Sequence, residues 1–329
     1  MSKTIRGRFA PSPTGNLHAG NVFAFLAAWL SCRSQGGRMV LRMEDLGHVI
    51  PGAADRICRD LERLGLDWDE GYGSGGPHTP YSQSERLDLY REAIQKLHQQ
   101  GAVYPCTCPR HSEHGGLYAP HQGEYVRYDG YCRDRFSSYK DACKEIPANS
   151  TRFPAWRFKA PDEEIVFEDI FQGTQRWNVQ KQHGDFAIAR HPDGIGYQLA
   201  VVVDDIAMEI TEVVRGYDLL DCTPWQILLY RTLSPDYPLP VFGHVPLIAD
   251  QNGNRLAKRN GSTTVTAMLD SGISPQKIIG DLAAYAHWVP QGSELTPSEL
   301  LQYYRPEQTG SKMLIHPAPA PLLYCEYPL

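Results

Sequence analysis

The sequence predicts an α/β fold, a doubly wound parallel sheet interrupted by an inserted α+β domain and followed by a short helical region. Three observations carry that expectation. Short apolar strand patterns alternate with amphipathic helix patterns through residues 1–101. From Ala102 to about His191 the character shifts to cysteine, tyrosine, proline and arginine. The apolar run Leu199–Val203 and the helix pattern Thr223–Leu233 then resume the first alternation.

Residues Arg8 to Asn21 read Arg-Phe-Ala-Pro-Ser-Pro-Thr-Gly-Asn-Leu-His-Ala-Gly-Asn. Pro11 and Pro13 fix the backbone, Gly15 and Gly20 allow a ligand close to it, and Val22–Leu30 reads as a buried helix whose N-terminus faces this loop. Free amides and the helix dipole attract an anion there, which places His18 at a phosphate pocket. Met39–Met43 is a short strand pattern ending at Glu44-Asp45, and Ala53–Leu64 has helical spacing with its charges outward. Gly71–Pro80 reads as a loop, and Ser84–Gln100 as an amphipathic helix with Leu87, Leu89, Ala93, Ile94 and Leu97 on its apolar side. Trp156–Lys159 and Ile165–Ile170 alternate as strands do. Leu199–Val203, ending in Asp204-Asp205, reads as the strand that restarts the sheet. Pro317–Leu329 is proline-rich and apolar and receives no functional assignment.

With 329 residues, 42% of them hydrophobic, the chain can bury a sizeable core in about two domains. A formal net charge of −6 argues against nonspecific coating of nucleic acid, so any RNA contact is a local patch. No apolar run approaches the roughly 18 residues that span a bilayer, and the polar N-terminus lacks a signal-peptide core. The expectation is a cytoplasmic monomer with no membrane partner. The eight cysteines then read as reduced thiols with room for a metal-binding subset.

Cys106-Thr-Cys108 followed by Cys132 gives three thiols that one folded loop can bring to a zinc ion. Such a site needs one more donor. General metal chemistry offers His111, His114 or Cys143, and the alternative to a metal is a small core of free thiols.

Two partial motifs in the right order identify a resemblance. His18-Ala19-Gly20-Asn21, after Pro-Ser-Pro-Thr-Gly, resembles the HIGH signature of class I aminoacyl-tRNA synthetases of the glutamyl type. Arg255-Leu256-Ala257-Lys258-Arg259 resembles their KMSKS signature, with His244-Val-Pro-Leu-Ile-Ala-Asp leading into it. The alternative reading of Arg255–Asn260 is a solvated basic loop. The resemblance implies a Rossmann-type catalytic fold, with ATP and Mg2+ used to activate L-glutamate. His18 and Lys258 would act on the triphosphate, with Gly20, Arg255 and Arg259 beside them. Arg8, Ser12, Glu44, Tyr197 and Arg215 match the positions that line the family's glutamate pocket.

A standard glutamyl-tRNA synthetase carries a helical anticodon-binding region after the second signature, for which this chain has no room. The resemblance therefore narrows to the glutamyl-queuosine tRNA(Asp) synthetases, which transfer glutamate to the cyclopentenediol of queuosine in the anticodon loop of tRNA(Asp). Those enzymes bind structural zinc through Cys-x-Cys, a tyrosine and a cysteine, which correspond to Cys106, Cys108, Tyr128 and Cys132. On this resemblance the chain divides into 1–101 and 195–245 as the two halves of the catalytic fold, 102–194 as the zinc-bearing insertion, and 246–329 as a mobile signature loop with a short stem-contact region. Two features depart from the pattern. Leu46-Gly47-His48 replaces a further acid after Glu44-Asp45, and Arg255 and Ala257 replace the first lysine and the serine of the second signature. The rival readings are a truncated or discriminating glutamyl-tRNA synthetase charging an acceptor end, a noncatalytic tRNA-binding regulator, and a small-molecule ligase of the same nucleotide fold.

Overall fold

A computed structural model describes residues 4–109, 114, 127–191, 194–248 and 264–309, and the backbone of 313–314. Strand β1 (Arg6–Phe9) leads through the proline-glycine loop into helix α1 (Ala19–Ser34). This helix is apolar on nearly every side, and it is buried accordingly, from Val22 and Phe23 through Leu30 and Cys32. Strand β2 (Arg38–Leu41) lies parallel to β1, helix α2 (Ala53–Arg63) buries Ile57 and Leu61 one turn apart, and β3 (Glu70–Gly71) extends the parallel sheet in the order β1-β2-β3. Gly71 has φ +139, and a Cβ there would run into the backbone of Leu41, so a side chain has no place at this position.

A single 3-10 turn at Gln83–Glu85 precedes α3 (Leu87–Gln99). The buried face of α3 is Tyr90, Ala93, Ile94 and Leu97, while Leu89 is exposed. The next segment forms β4 (Val103–Cys106), α4 (Tyr139–Lys144), β5 (Ala155–Phe158), β6 (Ile165–Asp169), β7 (Gly173–Trp177), α5 (Val179–Gln182) and β8 (Phe186–Ala189). Strands β4, β5 and β8 make an antiparallel sheet, whereas β6 and β7 form a hairpin that belongs elsewhere.

The run Leu199–Val203 is not a strand: it lies in helix α6 (Tyr197–Ala207). Leu199, Ala200, Val201 and Val202 are all buried, and an unbroken apolar run has the same appearance in a buried strand as in a buried helix. The two carboxylates that follow decide the matter structurally. Adjacent residues on a strand point to opposite faces, but on this helix Asp204 and Asp205 both reach Arg42.

The strand that restarts the sheet is β9 (Glu212–Gly216), followed by α7 (Thr223–Leu233) and β10 (Val241–Val245). Strand β10 pairs in parallel with both β9 and β6, giving the order β7-β6-β10-β9. Just before β9, Thr211 joins this sheet to the first one: its N–H donates to the Arg6 carbonyl at 3.0 Å, and its Oγ1 accepts from the Arg6 N–H at 2.8 Å.

Strand β11 (Leu247–Ile248) follows directly, and its parallel partner β12 (Met313–Leu314) comes from the far end of the chain. Between them lie α8 (Val265–Asp270), α9 (Pro275–Tyr285) and α10 (Pro297–Leu300), whose N-caps Thr264, Ser274 and Thr296 each accept a backbone N–H through the side chain. Ile278, Ile279 and Leu282 of α9 join the core around α1, where the Phe23 and Trp288 rings pack tilted with centroids 6.0 Å apart. A second core forms around α6 and α7. No described helix is long and apolar enough to cross a membrane.

Candidate active site

The order of parallel strands reverses between β1 and β9, and open α/β sheets bind ligands beyond the carboxyl ends of strands at such a point. Here that crevice is a cavity of about 1160 Å³. Arg8, Ser12, His18, Gly20, Glu44, Tyr197 and Arg215, each singled out in the sequence, all line it.

His18 is the residue before α1, and its backbone N–H donates to Asn21 Oδ1 at 3.3 Å. A Cβ at Gly20 would stand 3.3 Å from two atoms of the His18 ring, so glycine leaves the imidazole its position beside the helix start. His18 also forms an antiparallel bridge with Thr264, and the Val265 N–H donates to the Leu17 carbonyl at 2.9 Å. Leu247 and Ile248 line the same cavity. One described flank of 249–263 therefore meets His18, and the other lines the same cavity. Arg255, Lys258 and Arg259 lie outside the described residues, as does His111.

The other side of the cavity is built from arginine. Arg215, on β9, donates through Nη1 to the Tyr197 hydroxyl at 3.3 Å and through Nη2 to Thr223 Oγ1 at 2.9 Å and the Leu219 carbonyl at 3.2 Å. Arg8, on β1, donates to the Val214 carbonyl at 3.0 Å and stands 3.9 Å from Asp205. Behind them the wholly buried Arg42 contacts Asp205 at 2.6 Å, Glu44 at 3.1 Å and Asp204 at 3.7 Å. Asp204 also accepts from Arg86, Gln83 and Tyr90, and Asp205 from Tyr230, so the carboxylates of α6 are hydrogen-bonded as buried charges must be.

Burial sets the charge states, and the neighbours modify them. It pulls the Arg8 guanidinium below the usual arginine value, although Asp205 opposes the shift. Burial acts on Arg42 in the same direction but is outweighed by Asp205, Asp204 and Glu44, which hold its charge firmly. Glu44 is raised by burial, with Arg42 and Arg8 pulling the other way, and burial pushes the Tyr197 phenol up to about 12. The cavity lining thus carries two arginines, Arg8 and Arg215, and an imidazole at a helix start.

Sequence reasoning passed over the groups behind this wall. Arg42, Asp169, Asp204 and Asp205 are ordinary charged residues in a linear reading, and only their burial marks them. A signal did exist for Asp204-Asp205, because an acid pair closing an apolar run has to be neutralised by something.

A second cluster lies at the end of β4. The sulfurs of Cys106, Cys108 and Cys132 lie within 4.8 Å of one another, all buried. Cys108 and Cys132 are 3.6 Å apart, too far for a disulfide and near the sulfur-to-sulfur edge of about 3.8 Å expected of a tetrahedral zinc thiolate. The Tyr128 hydroxyl sits 3.5 Å from Cys106 Sγ and 3.8 Å from Cys108 Sγ, and it accepts the Cys132 N–H at 2.9 Å. Arg157, almost fully buried, donates to Cys106 Sγ at 3.2 Å and lies 3.7 Å over the Tyr128 ring. Three thiols and a phenol grouped around one point beside a buried cation suit ionised ligands of a zinc ion. His114 instead bonds Asp129 at 2.9 Å, and Cys143 is exposed on α4, so neither belongs to this cluster.

Comparison with known proteins points to one family. The family model described as tRNA synthetases class I (E and Q), catalytic domain, matches residues 4–299. A glutamyl-Q tRNA(Asp) synthetase of Symbiobacterium thermophilum is 46% identical over 302 residues, which cover 91% of this chain and 91% of the relative. A glutamate–tRNA ligase of the same organism is 38% identical over 310 residues, 92% of this chain but 63% of the ligase, so the chain spans less than two thirds of that enzyme. The crystal structure of a glutamate tRNA ligase from Elizabethkingia meningosepticum, in complex with its amino acid, matches with a TM-score of 0.76 and 26% identity, covering 94% of this chain and 66% of that one.

Proposed function

The chain belongs to the class I tRNA synthetases of the glutamate and glutamine type, and from that membership we propose that it activates L-glutamate with ATP and transfers it to queuosine in the anticodon loop of tRNA(Asp). The observation that carries the proposal is the convergence of two arginines, Tyr197, Glu44, His18 and both flanks of 249–263 on one cavity. The higher identity to a glutamyl-Q tRNA(Asp) synthetase than to a glutamate–tRNA ligase of the same organism favours queuosine as the acceptor.

In the first step a glutamate carboxylate oxygen attacks the α-phosphorus of ATP in line, the bond to the β-phosphate oxygen breaks, and pyrophosphate leaves. Arg215 and Arg8 hold the carboxylates, Glu44 faces the ammonium, and Tyr197 with Ser12 closes the subsite. His18 donates to phosphate oxygens at the start of α1, and Lys258 neutralises charge as it grows on the departing pyrophosphate. ATP enters with Mg2+ as the counter-ion of its phosphates. In the second step a hydroxyl of the queuosine cyclopentenediol attacks the activated carbonyl carbon, loses its proton, and AMP departs.

Cys106, Cys108, Tyr128 and Cys132 would hold zinc, which supplies a structural crosslink and no acyl-transfer chemistry. The fold is then a Rossmann-type catalytic unit formed by 1–101 and 195–245, with the zinc-bearing insertion at 102–194, whose β6–β7 hairpin joins the sheet of the second half, and a short helical stem-contact region after the second signature.

ATP–pyrophosphate exchange over a panel of amino acids, with and without tRNA, tests the activation step. Mapping of radiolabelled glutamate on the RNA tests the acceptor. Label on the modified anticodon base supports the reading, and label on an acceptor-end adenosine overturns it.

A further inference from the structure

Arg215 does not stand alone in its wall. In the parallel ladder between β9 and β10 it lies directly opposite His244, and its Nε–H donates to His244 Nε2 at 2.9 Å. A guanidinium has no acceptor, so His244 Nε2 must carry the lone pair and Nδ1 the proton. That proton points at Asp169 Oδ2, 2.5 Å away at the end of β6. Asp169 Oδ1 meanwhile accepts the backbone N–H groups of Phe171, Gln172 and His244, each at 3.0 Å, which leaves the carboxylate one orientation. Asp169 and His244 are both fully buried as side chains, and the Thr223 hydroxyl, 3.1 Å from His244 Nε2, also bonds Arg215.

We propose that Asp169 and His244 are positioning residues for glutamate recognition, fixing one imidazole tautomer and through it the orientation of the Arg215 guanidinium toward the substrate carboxylate. The pair rests on the assignment of Arg215 to the amino-acid pocket. Burial drives the His244 imidazole down to about 4, so the ring is neutral at physiological pH and stays an acceptor toward arginine. A protonated or flipped ring would set N–H against N–H and swing the guanidinium away.

Exchange of Asp169 for asparagine separates this role from simple packing. The amide side chain keeps an oxygen for the three backbone N–H groups but presents its NH2 to His244 Nδ1, which forces the proton onto Nε2 and against Arg215. His244→Ala removes the ring, leaving no group to carry a change at position 169 to Arg215. Pyrophosphate exchange, run with separate glutamate and ATP titrations, should show Asp169→Asn raising the glutamate KM by about tenfold or more with the ATP KM unchanged. In the His244→Ala background the same Asp169→Asn change should have no further effect on the glutamate KM. Melting temperatures measured alongside monitor the fold. Equal rises in both KM values, or effects of the two substitutions that multiply, would overturn the proposal. Arg215→Ala serves as the control: an unchanged glutamate KM in that variant would sink the pocket assignment itself, whereas a raised KM there with a normal Asp169→Asn enzyme sinks only the positioning pair.

Discussion

His18 and Thr264 pair across an antiparallel bridge, so the chain re-enters the described structure after 249–263 against the very loop that opens α1. The other described flank, Ile248, is on the lining of the same cavity. Lys258→Ala should lower ATP–pyrophosphate exchange by about two to three orders of magnitude, the usual cost of removing one group that stabilises developing charge. Its circular dichroism and melting temperature should match those of the parent. Undiminished exchange would remove lysine from the reaction.

Arg42 has no solvent to fall back on, and neither do the carboxylates around it. Arg42→Met would leave Asp205, Asp204 and Glu44 facing one another without their central cation. A loss of about 3–5 kcal/mol in denaturant unfolding is expected, the range found when one partner of a buried ion pair is deleted. A loss under about 1 kcal/mol, typical of a surface pair, would mean that the carboxylates find other partners.

The cysteine cluster predicts a stoichiometric metal. Elemental analysis of the purified protein should find one zinc per chain, and Cys132→Ser should lower that content and speed amide exchange along β4 and around Tyr128. Pyrophosphate exchange, measured below the variant's melting temperature, should persist, because the cluster lies in the β4 sheet and not in the cavity wall. Full protection of those amides without metal would reduce the cluster to packed thiols.

His244 also predicts how stability responds to acid. Its ordinary value of 6.5 falls to about 4 in the folded chain, so between those pH values the unfolded chain binds a proton that the folded one refuses. Stability should therefore drop as pH falls from 6.5 toward 4, by about 1.4 kcal/mol per pH unit from this group. Below 4 the contribution levels off. Unfolding free energies of the parent and of His244→Gln, compared across this window, isolate the effect: parallel curves would show that His244 takes no part in it.

Local pattern carried much of this molecule. The largely apolar α1, the stripe of α2 and the Thr-Pro start of α7 announce themselves because their environment is encoded within one helix. The lining residues near the first signature were similarly visible, since Arg8, Ser12, His18 and Gly20 fall within one loop and its flanks. Leu199–Val203 misled because burial on every side erases the period that separates helix from strand. Leu89 misled for a related reason: the apolar stripe of α3 runs through Tyr90, a residue whose hydroxyl must reach Asp204. Asp169 and His244 were invisible as a pair, because their meeting depends on which strands become neighbours and in what register.

The hydrogen bonds between Arg6 and Thr211 have a consequence for how the protein is made. Strand β1 is translated before β2 through β8, yet its neighbour on one side follows only after the whole β4–β8 segment. The nascent chain must hold an open sheet edge and a greasy first helix while that segment is threaded out, which makes the early half-product a natural client for chaperones. Only when β9 arrives can the crevice between the two halves come into being, so the cavity cannot close around its lining before that whole segment has been made.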